Sequence, residues 1–241
     1  KKKKYIIYGN GIASFRKPSK NLLYAGNAGT LARMLIALLS TQANLKVKIF
    51  GDSSLNKRDM KRIIIPLSKI GCNFYPKNKT TLPLIIEGTS APLAQRHSEN
   101  IGSAQVKSSI LLAALNTPGI TVLEEKKISR NHTENLLKAI GADIKIKKYG
   151  EKNLISIRGQ KKLLGFNLEI PGDQSSAAPF IFLTLLTPES NLIIKNVNYN
   201  PTRTGFITIL KKMNANIKVK NIKKISGELV GDIVVKSSIL K

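Results

Sequence analysis

The chain has 241 residues, 42% of them hydrophobic, which is enough for a packed core and excludes wholesale disorder. Forty basic residues against 14 acidic ones give a net charge of +26, but lysine is spread along the whole chain, aromatics are 5% and tryptophan is absent. One cysteine (Cys72) and two histidines (His97, His132) exclude a disulfide framework and a structural zinc site, and no apolar run is longer than Met34–Leu39, far short of the roughly 18 residues a bilayer span needs. Nucleic-acid readers favour arginine and interleaved aromatics. The lysines therefore read as a solvated surface whose positive field would concentrate small polyanions in a cleft.

In chain order, Lys4–Tyr8 reads as the final strand of an earlier unit, next to the dense run Lys1–Lys4. A layout then recurs three times. A glycine and small polar residues open an apolar helix: Gly26-Asn27-Ala28-Gly29-Thr30 to Ser40, Gly102-Ser103-Ala104-Gln105 to Asn116, and Gly172-Asp173-Gln174-Ser175-Ser176 to Leu186. A β-rich run follows each: Leu45–Phe50, Ile120–Glu124 and Leu192–Val197. A basic turn (Lys57-Arg58, Arg130, Thr202-Arg203) then opens an amphipathic helix with apolar residues at helical spacing. The inward faces read as Met60, Ile63, Ile64, Leu67 and Ile70; Thr133, Leu136, Leu137 and Ile140; and Phe206, Ile209, Leu210 and Met213. These helices stop at Gly71, Gly141 and Asn214, residue types that accept the positive φ of a helix end. Pro66, inside the first of them, is a misfit that would kink it. Two strand-like runs close each unit, the last being Leu82–Glu87, Leu154–Arg158 and Asp232–Lys236.

The unit is thus β-α-β-α-β-β over some 70 residues. Its first helix is apolar nearly all round and should be buried; its second is one-sided and should lie outside.

A helix N-terminus carries unpaired N–H groups and about half a positive charge, so a glycine-rich polar turn there suits phosphate or carboxylate. Ordinary N-capping by Ser, Thr, Asp or Asn is the alternative reading of each turn. The turns match neither the P-loop nor the dinucleotide-binding glycine pattern. Arg58 is the leading cation, since a guanidinium fork holds carboxylate or phosphate oxygens bidentately; Arg130 and Arg203 occupy the same repeat position. Arg33, within an apolar helix, needs an acidic or anionic partner. Ser129 either caps its helix or donates to a phosphate. Lys107 either reaches the Gln105 end of its helix or solvates it. His132 reads as solvated, Asp173 as an N-cap and Cys72 as a buried small hydrophobe.

Six ordered strings carry a resemblance: Gly26-Asn27-Ala28-Gly29-Thr30 with Arg33; Gly51-Asp52-x-Ser54-Leu55-x-Lys57-Arg58; Ser103-Ala104-Gln105-Val106-Lys107-Ser108; Ser129-Arg130-x-His132-Thr133-Glu134; Pro171-Gly172-Asp173-x-Ser175-Ser176-Ala177; and Asn200-Pro201-Thr202-Arg203-Thr204-Gly205. Together they resemble the 5-enolpyruvylshikimate-3-phosphate (EPSP) synthases of bacterial type over nearly the whole chain. The resemblance implies an α/β (α+β) enolpyruvyl transferase fold of two lobes, each built from β-α-β-α-β-β units, here incomplete at both ends. Residues 1–160 would be the first lobe (the end of unit one, then units two and three) and residues 161–241 the start of the second lobe (unit four), with Gly159–Gly165 in the hinge.

The implied reaction transfers the enolpyruvyl group of phosphoenolpyruvate to the 5-hydroxyl of shikimate 3-phosphate and releases phosphate. No metal and no organic cofactor are expected. By matching motif positions, Gly29, Arg58 and Gln105 would hold phosphoenolpyruvate, and Ser103, Ala104, Gln105 and Ser129 would hold shikimate 3-phosphate. Asn27, Thr30 and Arg130 would support them. The acid/base carboxylates of the family are expected beyond Lys241, so no catalytic residue is assigned within the chain. The expected partners are those two anions, with no nucleic acid and no membrane; the full-length protein is expected to be a cytoplasmic monomer. The alternatives are the sister transferase acting on UDP-N-acetylglucosamine, a basic nucleic-acid-binding module, and an inactive structural homologue.

Overall fold

The computed structural model describes residues 4–241, and these fall into two compact units. The first runs to Ser129 and resumes over Gly141–Leu164; the second comprises Arg130–Ile140 and Gly165–Lys241.

The first unit holds one whole copy of the repeat and the strands and leading helix of a second. Strand β1 (Leu22–Tyr24), helix α1 (Gly29–Leu39), β2 (Lys46–Phe50), the single turn α2 (Ser53–Asn56), α3 (Lys61–Ile70), β3 (Asn73–Tyr75) and β4 (Leu84–Glu87) form one. Strand β5 (Arg96–Glu99), α4 (Ala104–Ala114), β6 (Ile120–Glu125), then β7 (Ile144–Tyr149) and β8 (Lys152–Arg158) belong to the next. The sheets run β1-β2-β4-β3 and β5-β6-β8-β7, each with one parallel pair, β1 with β2 and β5 with β6, and antiparallel pairs elsewhere. The parallel pair is what a β-α-β crossover produces, since its helix must carry the chain back before the second strand begins.

The second unit contains α5 (His132–Ala139), α6 (Gln174–Leu186), β9 (Asn191–Asn198), α7 (Gly205–Lys212), β10 (Asn216–Ile225) and β11 (Glu228–Lys236). Its sheet is β10-β11-β9, the order of the other two with the leading parallel strand reduced to a bridge between Gly172 and Val197. The core gathers Ala177, Ile181 and Leu185 of α6 with Val197, Ile207, Leu210, Ile217, Ile233 and Val235.

All three copies close in the same way. The second residue after the last strand returns to the C-terminus of the first helix, whose final carbonyls have no partner within the helix. Thr89 N–H donates to Ser40 O at 3.0 Å, Gln160 N–H to Leu115 O at 2.8 Å and Ser238 N–H to Leu185 O at 3.0 Å. The preceding residues are Gly88, Gly159 and Ser237. A side chain on Gly159 would place its Cβ 1.9 Å from Thr117 O and 2.3 Å from Ala114 O; on Gly88, 2.3 Å from Gln42 O and 2.5 Å from Leu39 O. In these two copies the close approach of strand and helix requires glycine.

Several expectations need correction. Lys4–Tyr8 is not a strand; it pairs with nothing among the described residues and its side chains are exposed, whereas a strand needs a neighbour for its N–H and C=O groups. Lys1–Lys3 lie outside the described residues. The all-round apolar helix is most enclosed in α4, where Val106 to Leu111 are all buried, whereas α1 leaves Leu31 exposed. In α6 it is not: Phe180, Leu183 and Leu186 are exposed, because the three-stranded sheet covers one side and nothing among the described residues covers the other. Helix α3 runs through Pro66, and buries Ile63, Leu67 and Ile70. In α7 the inward residues are Ile207 and Leu210, while Ile209 and Met213 face solvent.

Candidate functional site

The site candidates of the first unit sit where the chain passes from strand to helix. After β1 the chain turns through Ala25–Ala28 and enters α1 at Gly29. The turn is fastened to the end of β2: Ala25 N–H donates to Phe50 O at 2.8 Å and Asp52 N–H to Gly26 O at 2.9 Å. Ala28 is the N-cap, with no side-chain cap and no acidic residue in the first turn, so the positive end of α1 is not neutralised by its own sequence.

Arg58 reaches this turn from the loop between α2 and α3, rather than from a helix start. Its Nη2 donates to Asn27 Oδ1 at 2.7 Å, and Asn27 Nδ2 in turn donates to Asp52 Oδ2 at 2.8 Å. Asp52 is fixed because its Oδ1 caps α2, accepting from Leu55 N–H at 2.7 Å. That backbone bond, with help from the Asn27 amide, holds the Asp52 carboxyl below the usual range against the opposing effect of desolvation. A Cβ placed on Gly29 would lie 3.0 Å from Arg58 Nη1 and 3.1 Å from Arg33 Nη1. Two guanidinium groups therefore meet at the first residue of α1, and the missing side chain of Gly29 makes room for them.

Arg33 has a different partner from the acidic one expected. Its Nη1 donates to Gln105 Oε1 at 3.0 Å and its Nη2 to Asp59 O at 3.4 Å. Gln105 Nε2 donates to Thr30 Oγ1 at 2.9 Å. The Arg33 guanidinium is held below its ordinary pKa, first by burial and then by repulsion from Arg62 and Arg58, with Asp59 opposing in part. The start of α4 is thereby laced to the start of α1. Ser103 caps α4, accepting from Val106 N–H at 3.4 Å, and Ala104 and Gln105 are its first two helical residues. Gly29, Thr30, Arg58, Ser103, Ala104 and Gln105 thus converge, with Asn27 as the support of Arg58.

Ser129 ends the first segment of the first unit, beside a pair not foreseen in the sequence. Lys107, one turn into α4, is fully buried and donates from Nζ to Glu125 Oε1 at 2.8 Å; it neither solvates its helix nor reaches its Gln105 end. Glu125 could have been noticed as an acid at an inward position of β6, in line with Thr121 and Leu123. Arg130 is exposed and begins the segment that folds with the second unit.

In the second unit, Arg203 repeats the Arg58 geometry. It donates to Ser175 Oγ and pairs with Asp173 Oδ1 at 3.1 Å, and Asp173 also caps α6 through Ser176 N–H. Here the guanidinium is neutralised by a carboxylate. His132 is not solvated as expected: its Nδ1 pairs with Glu228 Oε1 at 3.0 Å. Glu228 also accepts from the side-chain amides of Asn135, Asn198 and Asn200, each at 3.0 Å. Burial would raise the Glu228 pKa, and these four donors more than offset it. Cys72 is buried, and its thiol is pushed up to about 12, chiefly by burial.

Among the described residues no group of three or more His, Cys, Asp or Glu is placed to hold a metal ion, and no helix is long and apolar enough to cross a membrane.

A family model described as EPSP synthase (3-phosphoshikimate 1-carboxyvinyltransferase) matches residues 1–237. The chain belongs to the EPSP synthase family. A 3-phosphoshikimate 1-carboxyvinyltransferase of Petrotoga mobilis is 47% identical over 98% of this chain and 54% of its own length. Another, of Endomicrobium trichonymphae, is 45% identical over 98% of this chain and 54% of its own. The solved EPSP synthase from Acinetobacter baumannii superposes with a TM-score of 0.78 at 41% identity, over 90% of this chain and 48% of that one. The enolpyruvyl transferase NikO from Streptomyces tendae, at 14% identity and a TM-score of 0.62, shares the fold over 85% of this chain and 46% of its own. The chain thus spans about half the length of the curated EPSP synthase relatives it matches.

Proposed function

We propose that the protein carrying this sequence transfers the enolpyruvyl group of phosphoenolpyruvate to the 5-hydroxyl of shikimate 3-phosphate, releasing phosphate, and that it does so as a cytoplasmic monomer. The observation that carries the reading is the meeting of Arg58, Arg33 and Gln105 at the N-terminus of α1. Family membership supports the choice of substrates.

In this reading Arg58, the open backbone at Gly29 and Gln105 hold phosphoenolpyruvate. Ser103, Ala104, Gln105 and Ser129 hold shikimate 3-phosphate, and Asn27, Thr30 and Arg130 support them. Residues 1–160 belong to one lobe and 161–241 begin the other. The uncapped start of α1, the neighbouring start of α4 and a guanidinium fork can bring two polyanions together and hold them for reaction, which replaces a bimolecular encounter by a fixed geometry. The addition needs a proton at the methylene carbon of phosphoenolpyruvate and a base for the attacking hydroxyl. Asp52 and Asp59 are poor candidates. Both are held ionised, Asp52 by Leu55 N–H and Asn27, and Asp59 by Lys61 N–H and Thr80. As the family resemblance implies, the proton transfers are assigned to carboxylates beyond Lys241.

The test is phosphate release by the full-length protein. Release that requires both phosphoenolpyruvate and shikimate 3-phosphate, with UDP-N-acetylglucosamine unable to replace the latter, is expected; release with UDP-N-acetylglucosamine alone as acceptor would overturn the proposal. The 241-residue chain by itself is expected to release none.

A further inference from the structure

We propose that the buried Lys107–Glu125 pair positions Ser129 for the phosphate of shikimate 3-phosphate and ties it to the first turns of α4; this rests on the substrate reading above. Every polar group of Ser129 is engaged by the pair. Its N–H donates to Glu125 Oε1 at 2.8 Å, its hydroxyl donates to the same oxygen at 2.6 Å, and its carbonyl accepts from Lys107 Nζ at 3.4 Å. Lys107 N–H donates to Ser103 O at 3.1 Å, so the residue that grips Ser129 also sits one turn from Ser103. Asn153 Nδ2 satisfies the second carboxylate oxygen at 3.0 Å. With side chains 1% and 0% exposed, Lys107 and Glu125 touch no bulk solvent and are placed to act on a ligand through Ser129.

A consequence follows from counting protons. A serine hydroxyl has one, and here it points at Glu125. A phosphate dianion has none to give, so Ser129 can bond it only by turning its proton outward. Doing so would strand a carboxylate that had no other donor. Glu125 Oε1 keeps two, Lys107 Nζ and Ser129 N–H, at 2.8 Å each. The pair therefore holds the serine backbone fixed while leaving its hydroxyl free to be handed over. Lys107 and Glu125 are positioning residues: their side chains are buried and hold Ser129 in place.

The experiment measures dissociation constants of shikimate 3-phosphate and of shikimate by calorimetry, with the full-length protein. Removing Lys107 alone would leave the Glu125 carboxylate buried without the cation that faces it, so the main variant is the double substitution Lys107→Met/Glu125→Gln. It is expected to weaken shikimate 3-phosphate about tenfold, the size of one charge-assisted hydrogen bond, and to leave shikimate unchanged. Ser129→Ala should match it, and the triple variant should lose no more than either. Should the double variant fail to fold, Glu125→Gln alone keeps the side-chain shape and is expected to lose affinity for the phosphate ester in the same selective way. Equal losses for both ligands, or none, would mean a purely structural pair and overturn the inference. Wild-type protein that does not bind shikimate 3-phosphate would instead overturn the substrate reading, and the inference with it.

Discussion

Arg33 Nη1 donates to Gln105 Oε1 at 3.0 Å, joining residues 72 positions apart in the chain and on the leading helices of successive repeat copies. Gln105 passes the contact on to Thr30, so the two helix starts are laced by a guanidinium, an amide and a hydroxyl. The bond explains how an arginine survives in an apolar helix without a carboxylate: its charge is left available beside Arg58, where an anion can use it.

That lacing predicts energetic coupling. In a double-mutant cycle with Arg33→Ala and Gln105→Ala, measured by urea denaturation, the two losses should fall short of additivity by about 1 kcal/mol. Additive losses would mean that the contact carries no energy.

Gly29→Ala should leave folding intact while disturbing the site. The new methyl would press on Arg58 Nη1 and Arg33 Nη1, the far ends of flexible side chains that can give by tenths of an ångström. The melting temperature should stay within about 3 °C of wild type, a shift that corresponds to about 1 kcal/mol for a chain of this length. The KM for phosphoenolpyruvate should rise roughly tenfold, because a displaced clamp loses orientation.

Gly159→Ala and Gly88→Ala should do the opposite. Their Cβ atoms would meet backbone carbonyls that cannot move without unwinding the end of α4 or α1. A loss of about 3 kcal/mol or more is expected in denaturant unfolding. Ser237→Ala, at the equivalent point of the third copy, should stay within about 0.5 kcal/mol.

His97 sets an acid limit on stability. It is buried on β5 with Nε2 unpartnered, and burial, aided by Lys69, lowers its pKa to about 4. Unfolded, it titrates near 6.5, so between these values the unfolded chain binds the extra proton. Stability from this residue is complete above pH 6.5 and is lost as the pH falls toward 4, to a total of about 3 kcal/mol. His97→Gln should flatten the pH dependence of the melting temperature in that window; an unchanged slope would contradict the assignment.

Much of the fold was legible because period and punctuation recur. Glycine-led apolar helices, one-sided helices and paired strands reappear at near-constant spacing, and a repeat read three times corrects its own ambiguous instances. What stayed hidden depends on partners. The composition of α6 says that it is apolar all round, but not that its Phe180 side finds no cover among the described residues. Lys4–Tyr8 has strand-like residues and, among the described residues, no strand to pair with. In the site, Arg58 and Gln105 stood out as fork and helix start. The Lys107–Glu125 pair did not, since a lysine on an apolar helix and a glutamate on a strand reveal their bond only when α4 packs on β6. Glu228 was invisible for the same reason, its donors Asn135, Asn198 and Asn200 being scattered through the chain.

The most direct test of the shared anion pocket at the starts of α1 and α4 is the KM for phosphoenolpyruvate of the full-length Arg58→Lys variant. Lysine keeps the charge and gives up the bidentate fork. The account predicts a rise of roughly tenfold or more, the size of one lost charge-assisted bond, with the KM for shikimate 3-phosphate within about twofold of wild type. An unchanged KM for phosphoenolpyruvate would contradict it.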